Sequence, residues 1–205
     1  QNERIKNVIK LHSANGRKKA GAFFIEGVKQ VEEGLRDCPK EIMEIFATHA
    51  HYEALPEGTP KTLVSSSVMA KMSLQKTPEG ILAVIHQQHQ VNMKEKMLLL
   101  DGVADPGNCG TLIRTAEAFD FGVALTEGSV DPYNPKVVQS AKGSLLRLKP
   151  QIVTLDDVQR WAEYTFYGAV LEDSLSLHES PKKSPFVLVL GSESHGISNR
   201  IRPLL

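Results

Sequence analysis

The stretch LLLDGVADPGNCGTLIRTAEAFDFG, residues 98–122, decides the fold class of this 205-residue chain. Residues 98–100 predict a buried strand, residues 101–108 a turn, and the following residues a helix with an apolar face of Leu112, Ala116 and Phe119. A strand that passes through such a turn into a helix N-terminus directs backbone amides toward a ligand. Asn108 and Arg114 lie at the turn and in the helix, so the stretch predicts an α/β unit with a candidate site.

The composition predicts a soluble globular protein without a metal centre. Hydrophobic residues make up 41% of the chain and charged residues 23%. The longest apolar runs fall far short of the roughly 20 residues of a membrane span. Cys38, Cys109 and seven scattered histidines form neither a disulfide framework nor a zinc-binding spacing. The chain begins with Gln and no leader pattern follows, so we expect a trimmed start and a reducing, cytoplasmic setting.

The formal net charge is zero, but its distribution is uneven. Residues 1–30 hold seven Lys/Arg against two Glu, a net charge of +5, and residues 31–60 hold two against seven Asp/Glu, a net charge of −5. Residues 134–150 add four Lys/Arg and no acid. Such basic blocks favour either contact with a phosphate backbone or solvated helix faces, and charge alone leaves both open.

The first part of the chain alternates short strands with short helices. Strands are predicted over residues 22–25, 42–48, 62–65 and 80–85, which indicates a small three-layered α/β domain over residues 1–87. A helix is predicted over residues 4–11, and the HSANGRKKAG stretch is expected to end it. The polar segment that follows the last strand predicts a linker over residues 88–96.

The second domain, predicted over residues 97–205, repeats the α/β alternation. After the opening unit, strands are expected over residues 123–126, 152–155, 169–171 and 186–190, and a helix begins near Pro135. The run FVLVL is almost wholly apolar, as in a strand buried on both faces of a parallel sheet. The turn GSESHGIS follows it, where ligands bind in open parallel sheets.

Several common site motifs are absent or incomplete. The glycines after residue 101 do not have the dinucleotide-binding spacing, and no phosphate-binding P-loop occurs. Residues 192–196, SESHG, approximate the nucleophile elbow of a serine hydrolase, in which Ser194 would attack an acyl group. The acid and histidine expected later in the chain are missing, because the sole histidine after Ser194 is the adjacent His195. A hydrolase therefore remains a remote alternative.

The two turns resemble the first two motifs of the SpoU-type, TrmH-like RNA ribose methyltransferases of the SPOUT superfamily. DPGNCGTLIRTAEAFDFG resembles the first motif, and FVLVLGSESHGIS resembles the second. LHSANGRKKAGAFFIEGVKQVEEGL and TPEGILAVI resemble the L30e-like substrate-binding domain that precedes the catalytic domain in many ribosomal RNA members. DPYNPKVVQSAKGSLLRL resembles the segment between the two motifs. The resemblance implies a knotted α/β catalytic domain with a mostly parallel sheet and a homodimer.

The resemblance also implies a reaction, a cofactor and site residues. The expected reaction moves a methyl group from S-adenosylmethionine to a ribose 2′-hydroxyl in ribosomal RNA, with transfer RNA or a non-catalytic RNA-binding role as alternatives. The catalytic motif residues fall on Asn108, Arg114 and Glu193. The cofactor-binding positions, which again include Glu193, are Val170, Leu171, Leu190, Gly191 and Gly196. The expected RNA contacts are Arg17, Lys18, Lys19, Lys136 and Lys142.

Residue chemistry refines these roles. A guanidinium stays protonated at any physiological pH, so Arg114 is a poor base and is better suited to grip a phosphate and orient the hydroxyl. Asn108 would fix the arginine or the ribose, or serve as a helix N-cap. Glu193 would organise its loop or pair with Arg114. Cys109 is expected to be a small buried residue rather than a nucleophile.

One departure from the family concerns the third motif, which forms the knot and closes the cofactor pocket. The sequence ends at IRPLL, residues 201–205, before any such segment. From this we expect the 205-residue chain to lack one wall of the pocket and to bind the cofactor weakly or not at all.

Overall fold

The computed structural model describes residues 2–87, 91–171, 174–176, 178–181 and 183–205. Residues 88–90 of the predicted linker lie outside this description. The chain forms two compact units, residues 1–88 with Tyr133–Arg147 and residues 89–132 with Leu148–Leu205. Each unit contains one sheet, and the predicted α/β class is confirmed. Among the described residues, no helix is long and apolar enough to cross a membrane.

The elements follow one another as short helices and strands, with 3₁₀ turns at Pro39–Glu41 and Arg202–Leu204. In chain order they are α1 Glu3–Lys10, α2 Ala14–Ala20, β1 Ala22–Glu26, α3 Val28–Asp37, β2 Ile42–Ala47, α4 His49–Tyr52, β3 Lys61–Leu63, α5 Ser66–Met72, β4 Ile81–His86, β5 Lys96–Asp101, α6 Pro106–Ala118, β6 Gly122–Thr126, α7 Pro135–Ala141, α8 Ser144–Leu148, β7 Gln151–Val153, α9 Leu155–Gln159, β8 Thr165–Gly168 and β9 Phe186–Gly191.

The first unit is built on a four-stranded sheet in the order β1-β4-β2-β3. β4 pairs antiparallel with β1 and β2, and β3 joins β2 in parallel. One core cluster packs buried side chains of α1 and α5 against this sheet, among them Val8, Phe24, Phe46, Met69, Met72 and Leu82. Burial of these aromatic and aliphatic side chains is the main force that holds the unit together.

Helix α2 lies within the HSANGRKKAG stretch that was expected to end the first helix. The Ser13 side chain accepts a hydrogen bond from the Gly16 amide at 3.1 Å and caps the helix N-terminus. Gly21 ends the helix with a left-handed backbone, φ 57°. α1 ends at Lys10, before this stretch, as expected, but the helix that follows it was not predicted, although Ser13 and Gly21 are the start and stop signals of a short helix.

Arg17 lies inside the first unit rather than on its surface. It is 2% exposed, and its Nη1 donates to the carbonyl oxygens of Leu11 at 2.9 Å and His12 at 3.1 Å. These carbonyls follow α1, where helix-end oxygens lack partners within the helix. The expectation that Arg17 contacts RNA is therefore corrected, because its guanidinium fastens α2 to the end of α1. Lys18 and Lys19 are the exposed cations of α2.

The segment Tyr133–Arg147 packs in the first unit, although it lies within residues 97–205. The Tyr133 ring centroid is 4.7 Å from that of Phe23 in β1. Arg147 Nη1 lies 2.6 Å from Asp37 Oδ2 at the end of α3. The apolar face of α7, with Val137 and Val138, is buried. A helical apolar face predicts burial but does not indicate which sheet covers it.

We expect Asp37→Asn to lower the free energy of unfolding at pH 7 by about 1–2 kcal/mol, because the carboxylate loses charged hydrogen bonds. Bonds from Arg36 first, and then from Arg147, lower the Asp37 pKa from 3.8 to about 2. Because this pKa is depressed in the folded state, the contribution is complete above about pH 4 and is lost as the pH falls toward 2. Chemical unfolding across this range measures it, and a constant difference between variant and wild type would contradict it.

The second unit is built on a five-stranded sheet in the order β7-β6-β5-β9-β8, in which every pairing is parallel. Its core includes Met97, Leu99, Ala124, Val187 and Val189, each fully buried. β6 and β7 lie on one side of β5, and β9 and β8 lie on the other. The strand order therefore reverses between β5 and β9, and ligands bind at such a point in open α/β sheets.

One predicted strand of this sheet is shifted. The structure places β8 at Thr165–Gly168 instead of the expected residues 169–171. Of the expected residues, Ala169 continues the pairing through its amide, which donates to the Val189 carbonyl at 3.1 Å. Leu171 is fully exposed. The aromatic pair Phe166 and Tyr167 forms the strand, and the predicted apolar run lies beyond its end.

Candidate active site at the carboxyl edge of the parallel sheet

Two segments meet where β5 and β9 end. The first-motif turn, residues 102–105, follows Asp101 of β5, and the second-motif loop, residues 191–198, begins at the last residue of β9. Asp101 and Gly191 are neighbours in the parallel pairing, so both segments leave the sheet at the same edge. The sheet therefore brings the two motifs of the sequence together.

Helix α6 begins earlier than the sequence predicts. Asp105 is the N-cap, because its Oδ1 accepts the Asn108 amide at 2.7 Å, and Pro106 occupies the first helical position. Asn108 is therefore not the N-cap, and it lies within the first turn of the helix. Its side-chain Nδ2 donates to Glu193 Oε1 at 3.0 Å. This bond joins the two motifs directly.

Glu193 interacts with the first motif through both carboxylate oxygens. Its Oε2 accepts the Ala104 amide at 3.5 Å, in addition to the Asn108 bond at Oε1. The Asn108 side chain is the largest cause that lowers the Glu193 pKa, with backbone amides adding to it. The carboxylate is therefore charged at neutral pH and is unsuited to act as a general acid. Its observed partner is Asn108 rather than Arg114.

Arg114 lies on the exposed side of α6, six residues after Asn108. Six residues correspond to an axial rise of about 9 Å, so the two side chains leave the helix on different turns. Within the described part of the chain, the Arg114 side chain forms no hydrogen bond or ion pair. An exposed guanidinium without a partner is available for an anion such as a phosphate.

The second-motif loop is a tight hairpin. Ser192 and Gly196 exchange both backbone hydrogen bonds at 3.0 Å, and Ser192 Oγ accepts the His195 amide at 3.1 Å. A Cβ on Gly191 would lie 2.0 Å from the Gly196 carbonyl carbon, so only glycine fits there. Gly196 has a left-handed backbone, φ 65°, and a Cβ at this position would meet no atom within 4 Å. Gly191 therefore allows the loop to close, and Gly196 leaves open space beside it.

Ser194 is not arranged as a hydrolase nucleophile. In the segments that the structure describes, its hydroxyl has no hydrogen bond to a histidine.

The predicted cofactor positions outside the hairpin differ from one another in burial. Val170 is half-buried against the core, Leu190 is half-buried at the end of β9, and Leu171 is fully exposed. Leu171 thus presents an apolar side chain close to the end of β8.

The predicted RNA contacts other than Arg17 are exposed lysines of the first unit, namely Lys18, Lys19, Lys136 and Lys142. Lys142 follows α7 with φ 55° and ψ −148°, a backbone conformation that is essentially confined to glycine. Holding a lysine in this conformation costs about 1–3 kcal/mol. The four side chains are thus exposed cations, and one of them is held at a cost in stability.

A buried acid, Asp101, lies directly before the first-motif turn. Asp101 is 5% exposed, and its carboxylate accepts hydrogen bonds from Thr126 Oγ1 at 2.8 Å and from the Ser198 amide at 2.6 Å. The sequence patterns did not single out Asp101, although an acid at the end of an apolar strand is a detectable signal.

Cys109 is fully buried, and burial raises the pKa of its thiol to about 12, so it is unsuited as a nucleophile.

Comparisons with known proteins agree on one family. Residues 95–205 match the model of the SpoU rRNA Methylase family, and residues 2–83 match that of an MRM3-like substrate binding domain. The chain is 32% identical over 204 residues to the 23S rRNA (guanosine(2553)-2′-O)-methyltransferase RlmP of Bacillus subtilis, over 96% of this chain and 82% of that protein.

Solved structures are similar over nearly the whole chain. A Porphyromonas gingivalis protein assigned to the TrmH family of RNA methyltransferases is 33% identical, with a TM-score of 0.88 over 100% of this chain and 86% of that one. The SpoU methyltransferase AviRb of Streptomyces viridochromogenes, solved with AdoMet, has a TM-score of 0.88 at 22% identity, over 100% of this chain and 86% of its own. The AviRb similarity shows a shared fold.

Proposed function

This chain belongs to the SpoU rRNA methylase family, and we propose that it transfers a methyl group from S-adenosylmethionine to a ribose 2′-hydroxyl in ribosomal RNA. The observation that supports this best is the Asn108–Glu193 hydrogen bond. It joins the first-motif turn to the second-motif loop and leaves the Arg114 guanidinium without a partner among the described residues. The bond holds two of the proposed catalytic residues, Asn108 and Glu193, together at one edge of the sheet.

The second-motif loop has features that fit S-adenosylmethionine. The Gly196 backbone is exposed and open to an approaching ligand, because a Cβ there would meet no atom of the described residues within 4 Å. Leu171 offers an exposed apolar side chain, as a nucleoside face requires, and the Glu193 carboxylate offers a negative charge toward a cation. We propose that Val170, Leu171, Leu190, Gly191, Glu193 and Gly196 hold the cofactor.

The residues of the site have to align a hydroxyl and accommodate its proton. When bound, S-adenosylmethionine supplies a methyl group that its sulfonium charge activates. Alignment of the two reacting groups alone contributes several kcal/mol to such a transfer. Arg114 would bind the phosphate next to the target ribose and orient the hydroxyl, with that phosphate assisting proton removal. Asn108 and Glu193 would fix the N-terminal turn of α6, the helix from which Arg114 projects.

We assign RNA recognition to residues 1–87 together with Lys136 and Lys142 of the Tyr133–Arg147 segment, and methyl transfer to the rest of residues 97–205. The match to an MRM3-like substrate binding domain supports the first assignment, and the match to the methylase family supports the second. The proposed RNA contacts are Lys18, Lys19, Lys136 and Lys142. We further propose that the complete protein contains the family's knot, forms a homodimer through the catalytic domain and acts in the cytoplasm.

We expect Lys142→Gly to raise the free energy of unfolding by about 1 kcal/mol while weakening RNA binding. Glycine relieves the backbone strain at φ 55°, and removal of one phosphate contact lowers the slope of log affinity against log salt by about 1. Lys142→Ala removes the charge but keeps the strain, so it should weaken binding without the gain in stability. Unchanged RNA affinity in both variants would exclude Lys142 from the RNA contacts.

The test of the proposed function compares ribose methylation in cells with and without the gene. Ribosomal and transfer RNA are mapped for 2′-O-methylation in both strains. Loss of one ribosomal RNA methylation, restored by the wild-type gene, is the expected result. Loss in transfer RNA alone would identify that substrate instead, and unchanged maps together with retained RNA binding would favour a non-catalytic role.

A further inference from the structure

We infer that Asp101 is a positioning residue that fixes the second-motif loop against the first-motif turn. The inference rests on the proposed function for its kinetic consequence and on the structure for its geometry. Asp101 is the last residue of β5, and neither the motif resemblance nor the family match gives it a role. It would act on the cofactor site through the Gly191–Ser198 backbone.

Burial makes the two Asp101 hydrogen bonds obligatory. The residue is 5% exposed, and a buried carboxylate is costly unless its oxygens are bonded. Oδ1 accepts from Thr126 Oγ1 at 2.8 Å, and Oδ2 accepts from the Ser198 amide at 2.6 Å. One side chain thereby connects the ends of β5 and β6 to the segment that follows the hairpin.

Both Asp101 carboxylate oxygens must act as hydrogen-bond acceptors, because both of their partners donate. The Ser198 backbone amide can only donate. The Thr126 hydroxyl has a single proton, which it donates to Asp101, so its oxygen is left to accept the Gly102 amide at 3.2 Å. An aspartate satisfies this set completely, whereas an asparagine would place an NH₂ group against one of two donors.

Asp101 therefore also acts on the first-motif turn. Through Thr126 it orients the amide of Gly102, the residue that begins the turn with φ 72°. Ser129 supports the same amide, since its Oγ accepts it at 3.0 Å and donates to the Leu100 carbonyl at 3.1 Å. The turn that leads to Asn108 and the loop that contains Glu193 are thus set by one buried carboxylate.

The second-motif loop is attached at two places, to the first motif and to the last residue of β5. Near its start Glu193 bonds to Asn108 and Ala104, and at its end the Ser198 amide bonds to Asp101. Between these points lies the hairpin with the open space beside Gly196. Ile197 and Ile201 anchor the following segment in the core. Because Asp101 is buried and both its oxygens are occupied, it would position the loop rather than touch substrate.

The test uses Asp101→Asn in the complete protein, with Thr126→Val as a second, milder variant. Steady-state methyl transfer is measured at a temperature well below the melting point of each variant. We expect Asp101→Asn to raise KM for S-adenosylmethionine at least tenfold and to leave KM for RNA within twofold of wild type. Asp37→Asn is the matched control, because it removes a hydrogen-bonded acid from the other unit and should leave KM for S-adenosylmethionine unchanged.

Hydrogen exchange of the ligand-free protein provides a readout that does not depend on methyl transfer. Residues 192–198 should exchange at least tenfold faster in Asp101→Asn than in wild type, while β1 and β4 keep their protection. Thr126→Val should give a smaller change, because it leaves the Ser198 bond in place. The inference would be overturned if residues 192–198 of Asp101→Asn exchanged as slowly as in wild type. It would also be overturned if KM for S-adenosylmethionine and KM for RNA changed equally. Loop release in a protein that transfers no methyl group would uphold the inference and refute the proposed function.

Discussion

Arg114→Ala in the complete protein is expected to lower kcat for methyl transfer by about 10²–10³-fold, the loss seen when one preorganised donor is removed from an active site. The fold should be unaffected, because Arg114 is exposed and its side chain has no partner in the described chain. The loss should fall on kcat more than on KM for S-adenosylmethionine, since the proposed phosphate contact orients the ribose. Transfer of labelled methyl groups to ribosomal RNA measures it.

Two variants sharpen this prediction. Arg114→Lys keeps the charge but loses the bidentate geometry, so it should recover only part of the rate. Arg160→Ala is the matched control, because Arg160 is an exposed arginine of the same unit whose side chain forms an ion pair with Asp157 at 3.4 Å. Near wild-type kcat in Arg114→Ala would remove Arg114 from the reaction, and equal losses in Arg160→Ala would indicate a general charge effect.

Gly191→Ala in the complete protein is expected to lower the free energy of unfolding by about 2 kcal/mol or more and to abolish cofactor binding. The added Cβ would lie 2.0 Å from the Gly196 carbonyl carbon and 2.2 Å from the Ile197 amide nitrogen, which are backbone atoms. Relief of this overlap requires the hairpin to move, and overpacking of this kind costs about 1–3 kcal/mol. Chemical unfolding and calorimetric titration with S-adenosylmethionine measure the two effects.

Gly196→Ala, also in the complete protein, tests whether a ligand approaches the hairpin at this residue, because the substitution leaves the closure of the loop intact. Its Cβ would meet no protein atom within 4 Å, so only the left-handed backbone at φ 65° is strained, at a cost of about 1 kcal/mol. This variant should fold and keep the hairpin, yet it should bind S-adenosylmethionine weakly because the Cβ enters the proposed ligand space. Tight binding by Gly196→Ala would place the cofactor elsewhere, and a stable Gly191→Ala protein would contradict the close packing of the loop.

Local signals predicted much of the second unit. The apolar runs of β5, β6 and β9 were predicted to within two residues, since strands buried on both faces of a parallel sheet are continuously hydrophobic. The Gly and Pro turns after β5 and β9 indicated where the chain leaves the sheet. These patterns located the two turns, and the family resemblance selected Asn108 and Glu193 within them. The structure joins these two side chains at 3.0 Å.

Other features depend on partners that a linear pattern does not reveal. Arg17 belongs to a basic run, yet its guanidinium is buried because carbonyls at the end of α1 lie beside it. Arg147 likewise pairs with Asp37, which is 110 residues away in sequence. The acid at the end of β5 is visible in the sequence, but the role of Asp101 comes from Thr126 and Ser198, which only the folded sheet brings together.

The most direct test of the proposed function is methyl transfer by the complete protein in vitro. Ribosomal RNA from a strain without the gene is incubated with the protein and S-adenosylmethionine that carries a labelled methyl group, and the modified nucleotide is mapped. The expected result is a single labelled ribose whose 2′-oxygen is methylated, with transfer by Arg114→Ala about 10²–10³-fold slower. Label on a base, or no transfer by a wild-type protein that binds this RNA, would contradict the proposed function.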